Sequence, residues 1–160
     1  MNDLTSRALE LQHAAHELMY LGMDGEPAYS DTFCRLNKEV LVKSDSLFSA
    51  QSSDVEEEAN LCLALLMGYN ATIYDDGDKE QKKQMVLNRI CLVLEQLPAS
   101  LLKVRLLTYT YGEVYEEVLF QEAYAIIEGW NKDNLSSEQT EIIEELKNIE
   151  ENPYPFEEVE

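Results

Sequence analysis

The sequence predicts an all-α fold, and three of its features carry that prediction. Apolar residues recur every three or four positions in successive stretches, which places them on one face of a helix. The connections between the stretches are short, so neighbouring helices are expected to run antiparallel. No stretch alternates apolar and polar residues with a period of two, as a half-buried strand would. We therefore expect one domain over residues 1–150, a bundle of about seven helices, and an extended acidic tail over residues 151–160.

The first two helices are predicted on either side of a loop that contains two glycines and a proline. The first is expected over residues 3–21, with Gly22 as its end. Ser30 or Asp31 is expected to cap the second. The residues with inward spacing in these helices are Leu4, Ala8, Leu11, Ala15, Leu18, Phe33, Leu36, Val40 and either Leu47 or Phe48.

The third helix is expected to lie at the centre of the fold. Ser53 and Glu56 have the spacing of a capping box at its start. Residues 61–67 are all apolar, and a helix without a polar face must be enclosed by its neighbours. We expect this helix to end near Tyr74.

Gly68, Tyr69 and Asn70 interrupt this apolar run. One interpretation is a close helix crossing at Gly68, with buried hydrogen bonds from Tyr69 and Asn70. The other is a kink that opens a groove, which makes these three residues candidates for binding a partner.

The C-terminal helices are predicted from caps and from one break. Asp78 with Gln81, and Ser136 with Gln139, have the spacing of capping boxes. Gly112 is expected to break the chain between two helices, and the stretch around it resembles a tetratricopeptide hairpin, although no repeat period recurs elsewhere. These helices are expected over residues 79–96, 101–111 and 113–130, and from Ser136 onward.

Charge is the most unusual property of the chain. Its 32 Asp and Glu exceed its 12 Lys and Arg, which gives a net charge of −20. Residues 113–160 hold 15 of the acids and only two bases, Lys132 and Lys147. Such a surface repels nucleic-acid phosphates and anionic membranes, and it attracts a basic protein. No stretch reaches the roughly 20 apolar residues that span a bilayer and no signal pattern opens the chain, so a cytoplasmic location is expected.

Neither catalysis nor a cofactor is expected. Cys34, Cys62 and Cys91 have the spacing of neither a disulfide framework nor a zinc site. The serines form no nucleophile elbow and the glycines no phosphate loop. His13 and His16 could begin a metal site on the first helix, but the sequence has no other histidine to complete one. A metal-dependent enzyme centred on that pair is an alternative function, and we expect this hypothesis to be wrong.

Protein binding remains as the expected activity, and its candidate residues lie towards the C-terminus. Tyr154 and Phe156 are flanked by prolines and acids, so they either contact a partner or fold back onto the bundle. Exposed acids of the sixth helix and the single tryptophan are further candidates. The partner-binding residues predicted on these grounds are Glu116, Glu117, Trp130, Tyr154, Phe156, Glu157 and Glu158.

Several blocks of the sequence resemble the UpxZ family. They are Leu-Gln-His-Ala-Ala-His-Glu-Leu at 11–18, Leu-Gly-Met-Asp-Gly at 21–25, the stretch 57–74 and Glu-Asn-Pro-Tyr-Pro at 151–155. The resemblance extends over nearly the whole chain. It implies a regulator of capsular polysaccharide operons that antagonises NusG-like antitermination factors, called UpxY, of the other capsule operons. It implies no catalytic or binding residues.

The resemblance and the charge lead to one hypothesis. The chain binds a basic surface of a non-cognate UpxY-type factor directly and thereby blocks its recruitment, with RNA polymerase as the other protein that could be bound. The alternative is a tetratricopeptide-like adaptor that binds a peptide or a basic partner and has no connection with transcription.

Overall fold

The computed structural model describes residues 3–23, 25, 27, 29–74 and 77–151. Seven helices and no strand occur in this part of the chain, which confirms the predicted all-α class. The contacts fall into two compact units, Met1–Leu97 and Pro98–Glu160, and the single domain over residues 1–150 stays a prediction. The helices are α1 (Asp3–Met23), α2 (Asp31–Phe48), α3 (Val55–Ala71), α4 (Lys79–Gln96), α5 (Leu101–Val114), α6 (Glu117–Glu128) and α7 (Ser137–Glu151).

The core of the first unit forms around α3, as the sequence predicted. α1, α2 and α4 all pack against it, and every residue from Ala59 to Tyr69 is buried. The three surrounding helices are amphipathic and bury one side only, at positions such as Leu11, Val40 and Ile90. Each fully buried leucine or isoleucine stabilises such a core by about 1.5–3 kcal/mol relative to an exposed one.

The helices of the first unit alternate in direction. Asn37, in the second turn of α2, accepts a hydrogen bond of 2.9 Å from the backbone N–H of Ile73, just beyond the end of α3. The start of α2 therefore lies beside the end of α3. Consequently α1 and α3 end, and α2 and α4 begin, at one end of the unit, which we call the double-loop end.

The boundary between α1 and α2 differs in part from the prediction. α1 continues through Gly22 to Met23, so Gly22 is not its end. A glycine inside a helix costs up to about 1 kcal/mol, and the packing of a long helix can offset that amount. Ser30 caps α2 as predicted, because its hydroxyl accepts a hydrogen bond of 3.1 Å from the N–H of Phe33.

The cap of α3 lies one residue later than predicted. Asp54, rather than Ser53, is the N-cap, and its carboxylate accepts a 2.8 Å hydrogen bond from the N–H of Glu57. The carboxylate of Glu57 in turn accepts one of 2.6 Å from the N–H of Ser53. The predicted pair of Ser53 with Glu56 was wrong because serine and aspartate are equally good caps and both occur here.

The two other predicted capping boxes had opposite outcomes. Asp78 occupies the N-cap of α4 but makes no side-chain cap bond, so the pair with Gln81 was wrong. Its carboxylate lies 3.2 Å from the ammonium of Lys82 instead. The box at α7 is confirmed, because Ser136 and Gln139 exchange hydrogen bonds of 2.9 and 3.1 Å between their backbone N–H groups and side-chain oxygens.

In the second unit, α5 packs against both α6 and α7. Gly112 lies inside α5 and does not break it, contrary to the prediction. A Cβ on Gly112 would lie 3.3 Å from Cδ1 of Ile149, so this glycine permits the close approach of α5 and α7. α5 ends instead at Val114, where Tyr115 adopts a left-handed conformation with φ 55° and donates its N–H to the carbonyl of Tyr111. For this reason α6 begins later than the predicted residue 113.

Candidate functional site

The segment Gly68–Asn70 takes part in a close helix crossing. A Cβ on Gly68 would collide with the hydroxyl of Ser44, so α2 and α3 approach closely here. Tyr69 is fully buried and donates a 2.7 Å hydrogen bond to the carboxylate of Asp45. Asn70, in contrast, is exposed, so its predicted buried hydrogen bond was wrong. α3 continues without a break through all three residues, and only Asn70 offers its side chain to a partner.

A polar network joins α2, α3 and α4 beside this crossing. Lys82 lies 3.0 Å from Asp45, and its ammonium is also 5.7 Å from the centre of the Phe48 ring. The hydrogen bond to Asp45 raises the pKa of Lys82. Burial, together with the hydrogen bond to Asp45, raises the pKa of Tyr69. Because Asp45 connects a lysine of α4 with a tyrosine of α3, this network fixes the relative positions of three helices.

A second network lies nearby, around Glu58. Arg89 donates two hydrogen bonds of 2.8 Å to its carboxylate, and Ser52 donates one of 2.6 Å. Burial alone would raise the pKa of Glu58, but these hydrogen bonds and the charge of Arg89 lower it on balance. Burial and the carboxylate of Glu58 raise the pKa of Cys62 to about 12, so this thiol is protonated at neutral pH and is a poor nucleophile. The network is an ion-paired clamp between α3 and α4.

The described part of the first unit offers few other side chains that could bind a metal or take part in catalysis. Across the described ranges, no group of three or more His, Cys, Asp or Glu is placed to hold a metal ion. The ring of His16 packs edge-on against Tyr20 with centroids 4.6 Å apart, and His13 is exposed.

Of the helices described, none has the length and apolarity required to cross a membrane.

The second unit contains a continuous row of aromatic rings. The ring of Tyr111 lies 5.3 Å from that of Tyr115 and 5.2 Å from that of Phe120, between centroids. Phe120 lies 4.7 Å from Tyr124 in the same way. Tyr111 is buried, whereas the other three rings are half-buried. The row therefore joins the core of the unit to its surface.

Acidic side chains of α6 and α7 act electrostatically on two tyrosines of this row. Burial raises the pKa of Tyr111, and the negative charges of Glu117 and Glu150 raise it further. Burial likewise raises the pKa of Tyr124, with added contributions from Glu150 and Glu151. Glu150, near the end of α7, therefore influences both phenols, whereas Glu117 influences only Tyr111 and Glu151 only Tyr124.

We call this set the acidic–aromatic surface. Its members are Tyr111, Tyr115, Glu117, Phe120, Tyr124, Glu150 and Glu151.

The predicted partner-binding residues are distributed over three places. Glu116 and Glu117 are exposed at the start of α6, and Glu117 belongs to the acidic–aromatic surface. Trp130 is half-buried and lines a separate cleft of about 440 Å³ together with Ala125 and Ile126. The other predicted residues, which lie outside those that the structure describes, are Tyr154, Phe156, Glu157 and Glu158.

Glu150 and Glu151 are absent from the partner-binding residues that were predicted one by one from the sequence. α7 continues through Glu151, the residue at which the extended tail is expected to begin. The apolar positions Ile142, Leu146 and Ile149 have the spacing of a helix that reaches this point, and this signal was present in the sequence.

Comparison with known proteins gives two consistent results. Residues 8–112 match the sequence model of the UpxZ family of transcription anti-terminator antagonists. The chain is also 67% identical to a transcription anti-terminator antagonist UpxZ from Bacteroides uniformis ATCC 8492 whose crystal structure is known. That match covers 99% of both chains with a TM-score of 0.88, so the two proteins share a fold. No curated protein matches the chain.

Proposed function

Since this chain belongs to the UpxZ family of transcription anti-terminator antagonists, we propose that it antagonises a NusG-like anti-terminator by binding it directly in the cytoplasm. The proposed targets are the UpxY-type factors of other capsular polysaccharide operons. Binding hides a surface that the anti-terminator needs for RNA or for RNA polymerase. The observation that carries the proposal is a row of packed aromatic rings in a unit whose exposed acids include Glu116, Glu117, Glu150 and Glu151.

The charge of the second unit supports a basic partner. Residues 98–160 contain 15 Asp and Glu but only four Lys and Arg. A protein that contacts RNA carries a basic surface, because it must neutralise phosphates. A field of this sign accelerates the encounter with such a surface by about 10–10³-fold at low salt. It also competes with RNA for the same cationic side chains.

The aromatic row supports a specific contact in addition to the electrostatic one. Tyrosine rings are frequent among the few residues that contribute most of the binding energy at protein interfaces. Phe120 and Tyr124 are half-buried, so part of each ring is in contact with solvent. Their conformations are restricted before binding, which lowers the entropic cost of association.

A salt-dependent binding assay tests this proposal. The purified chain is titrated with cognate and non-cognate NusG-like factors at increasing salt concentration. The site variant is Glu117→Lys with Glu150→Lys. The control variant is Glu39→Lys with Glu95→Lys, which changes the net charge equally at exposed positions of the first unit.

We expect the unmodified chain to bind non-cognate factors most tightly at low salt, because exposed charges are screened beyond a Debye length of about 10 Å at 0.1 M. The site variant should bind at least about tenfold more weakly, with a flatter salt dependence, and the control should lose little. Equal losses in both variants would show that only the net charge matters. If no anti-terminator binds the unmodified chain, direct binding is wrong, and RNA polymerase becomes the target to test.

A further inference from the structure

The outward face of α4 carries no charge along most of the helix. Between residues 81 and 92, every exposed position of α4 has an uncharged side chain, and its exposed acids, Glu80 and Glu95, lie near the two ends. On α1 and α7, by contrast, exposed acids recur along the described length. The face is therefore unusual in a chain with a net charge of −20. Its exposed residues are Gln81, Gln84, Met85, Asn88, Cys91 and Leu92.

The bases in this stretch of α4 add no net charge to the face. Each of the three is only partly exposed and forms an ion pair with an acid of the same unit. The pairs are Lys82 with Asp45 at 3.0 Å, Lys83 with Glu80 at 3.6 Å, and Arg89 with Glu58 at 2.8 Å. Neither a basic nor an acidic partner is therefore attracted to this face by an unpaired charge.

A cleft of about 560 Å³ opens beside Met85. Its opposite wall is the connection between α2 and α3, where residues 49–52 are all uncharged. The charged side chains that line the cleft are Glu58 and Arg89, which neutralise each other. The charge-free surface consequently continues from α4 across the cleft.

An apolar side chain projects from the same face two turns further along the helix. Leu92 is 64% exposed, and Met85, at the edge of the cleft, is 51% exposed. Seven residues separate them, so they lie on the same side of α4 at a distance of about 10 Å. Asn88 is exposed between them, and its amide can both donate and accept hydrogen bonds. One surface thus offers a cleft, a side chain that could fill such a cleft, and a self-complementary polar group.

The charge of the chain and the shape of this face together indicate a second copy as the partner. Two copies that each carry a charge of −20 repel each other wherever their acidic faces meet. The charge-free face of α4 allows them to approach without that cost. Contact between identical faces also requires that a patch fits itself after a two-fold rotation, and a cleft beside a projecting leucine satisfies this requirement.

We propose that α4 is a dimerisation surface, on which α4 of a second copy of this chain packs in the antiparallel direction about a two-fold axis. In such a contact, if Leu92 of one copy meets Met85 of the other, the reverse contact also forms. Leu92 of each copy lies at the cleft of the other, and the two Asn88 side chains meet near the axis. This inference does not depend on the proposed function.

Sedimentation equilibrium of the purified chain over a range of protein and salt concentrations tests the inference. The site variant is Met85→Glu with Leu92→Glu, which places four carboxylates in the contact. The control is Val42→Glu with Val118→Glu, which adds the same charge at positions that are 58% and 62% exposed on other helices. Circular dichroism shows that both variants keep their helices.

The unmodified chain should dimerise more tightly as the salt concentration rises, because salt screens the repulsion between two acidic copies. The site variant should dimerise at least about tenfold more weakly, since like charges then face each other, and the control should lose little. A chain that stays monomeric at every concentration overturns the inference and leaves α4 available to an uncharged segment of another protein. Equal dimerisation of the site and control variants overturns it as well.

A disulfide at the proposed axis provides a second measurement. Asn88→Cys is made in a chain in which the exposed cysteines are replaced, by Cys34→Ser and Cys91→Ser. A residue beside a two-fold axis meets its own copy, so mild oxidation should link two chains through position 88. Glu39→Cys in the same background should not be linked. Equal linkage at positions 39 and 88 contradicts the proposed contact.

Discussion

The guanidinium of Arg89 donates two hydrogen bonds of 2.8 Å to the carboxylate of Glu58, one from Nε and one from Nη2. The two side chains are 28% and 21% exposed, so water only partly screens their interaction. This pair connects the middle of α4 with the beginning of α3, and a bidentate geometry of this kind is among the stronger contacts that side chains make.

Glu58→Gln should lower the free energy of unfolding at pH 7 by about 1.5–3 kcal/mol, the usual loss for a hydrogen bond to a charged group. Its pKa is below the ordinary value of 4.5 in the folded chain, so the ionised form is preferred on folding. The stabilisation is therefore complete well above pH 4.5 and disappears as the pH falls through the folded pKa. Chemical denaturation of both proteins between pH 7 and pH 3 measures this effect, and a difference that does not change with pH contradicts the assigned ion pair.

Gly68→Ala should destabilise the first unit by about 1–3 kcal/mol, because the new methyl group collides with the hydroxyl of Ser44 in a packed core. Adding Ser44→Ala should restore part of the loss. The next atoms, Cδ1 of Leu11 and Cβ of Ser44, lie at 3.4 Å, which is an ordinary contact. Thermal unfolding of the single and double variants provides the test. If the double variant is no more stable than Gly68→Ala, the loss of stability does not come from a collision with the Ser44 hydroxyl.

The three cysteines should differ in reactivity. Cys34 and Cys91 are exposed, whereas Cys62 is buried with its pKa raised to about 12. Iodoacetamide at pH 8 should therefore modify two thiols of the folded chain quickly and the third only after denaturation, since the thiolate is the reactive form. Mass spectrometry counts the adducts. Rapid modification of Cys62 in the folded chain would contradict its burial beside Glu58.

Tyr115→Gly should change stability little and binding strongly. Tyr115 is the one non-glycine residue with positive φ in the described ranges, and relief of that conformation contributes about 1–2 kcal/mol. The loss of its contact with the Tyr111 ring costs about 0.5–1.5 kcal/mol beyond the apolar area that is lost, so the relief of the backbone offsets only part of the cost and the net loss stays small. Removal of a ring from the acidic–aromatic surface should nevertheless weaken binding of the anti-terminator by about tenfold. Unchanged affinity together with unchanged unfolding would exclude Tyr115 from that surface.

The fold could be predicted largely because its strongest signals are local. The apolar run of residues 61–67 required an enclosed helix, and α3 is that helix. The break expected at Gly112 was wrong because the reason for this glycine is Ile149, a residue far along the chain. The residues next to a glycine do not reveal a contact with a distant residue. From the local sequence alone, a glycine that permits close packing therefore looks the same as one that ends a helix.

The candidate site could be predicted only in part. The sequence identified Glu117 by its charge, but its convergence with Glu150 on Tyr111 depends on how α6 and α7 pack against α5. The burial of Asn37 was not predicted, since an asparagine in an amphipathic helix usually faces water. Its burial and its hydrogen bonds to the segment beyond α3 arise from tertiary structure alone.

Photo-crosslinking from α6 shows whether the anti-terminator binds beside the acidic–aromatic surface. A benzophenone side chain is placed at the exposed position of Glu116, beside the acidic–aromatic surface, or at the exposed position of Glu39 in α2 as the control. Each protein is irradiated with a purified non-cognate NusG-like anti-terminator. If the anti-terminator binds at the acidic–aromatic surface, position 116 should form a crosslink that high salt abolishes, and position 39 should form none. Equal crosslinking from both positions, or none from position 116 while the two proteins are bound, would contradict it.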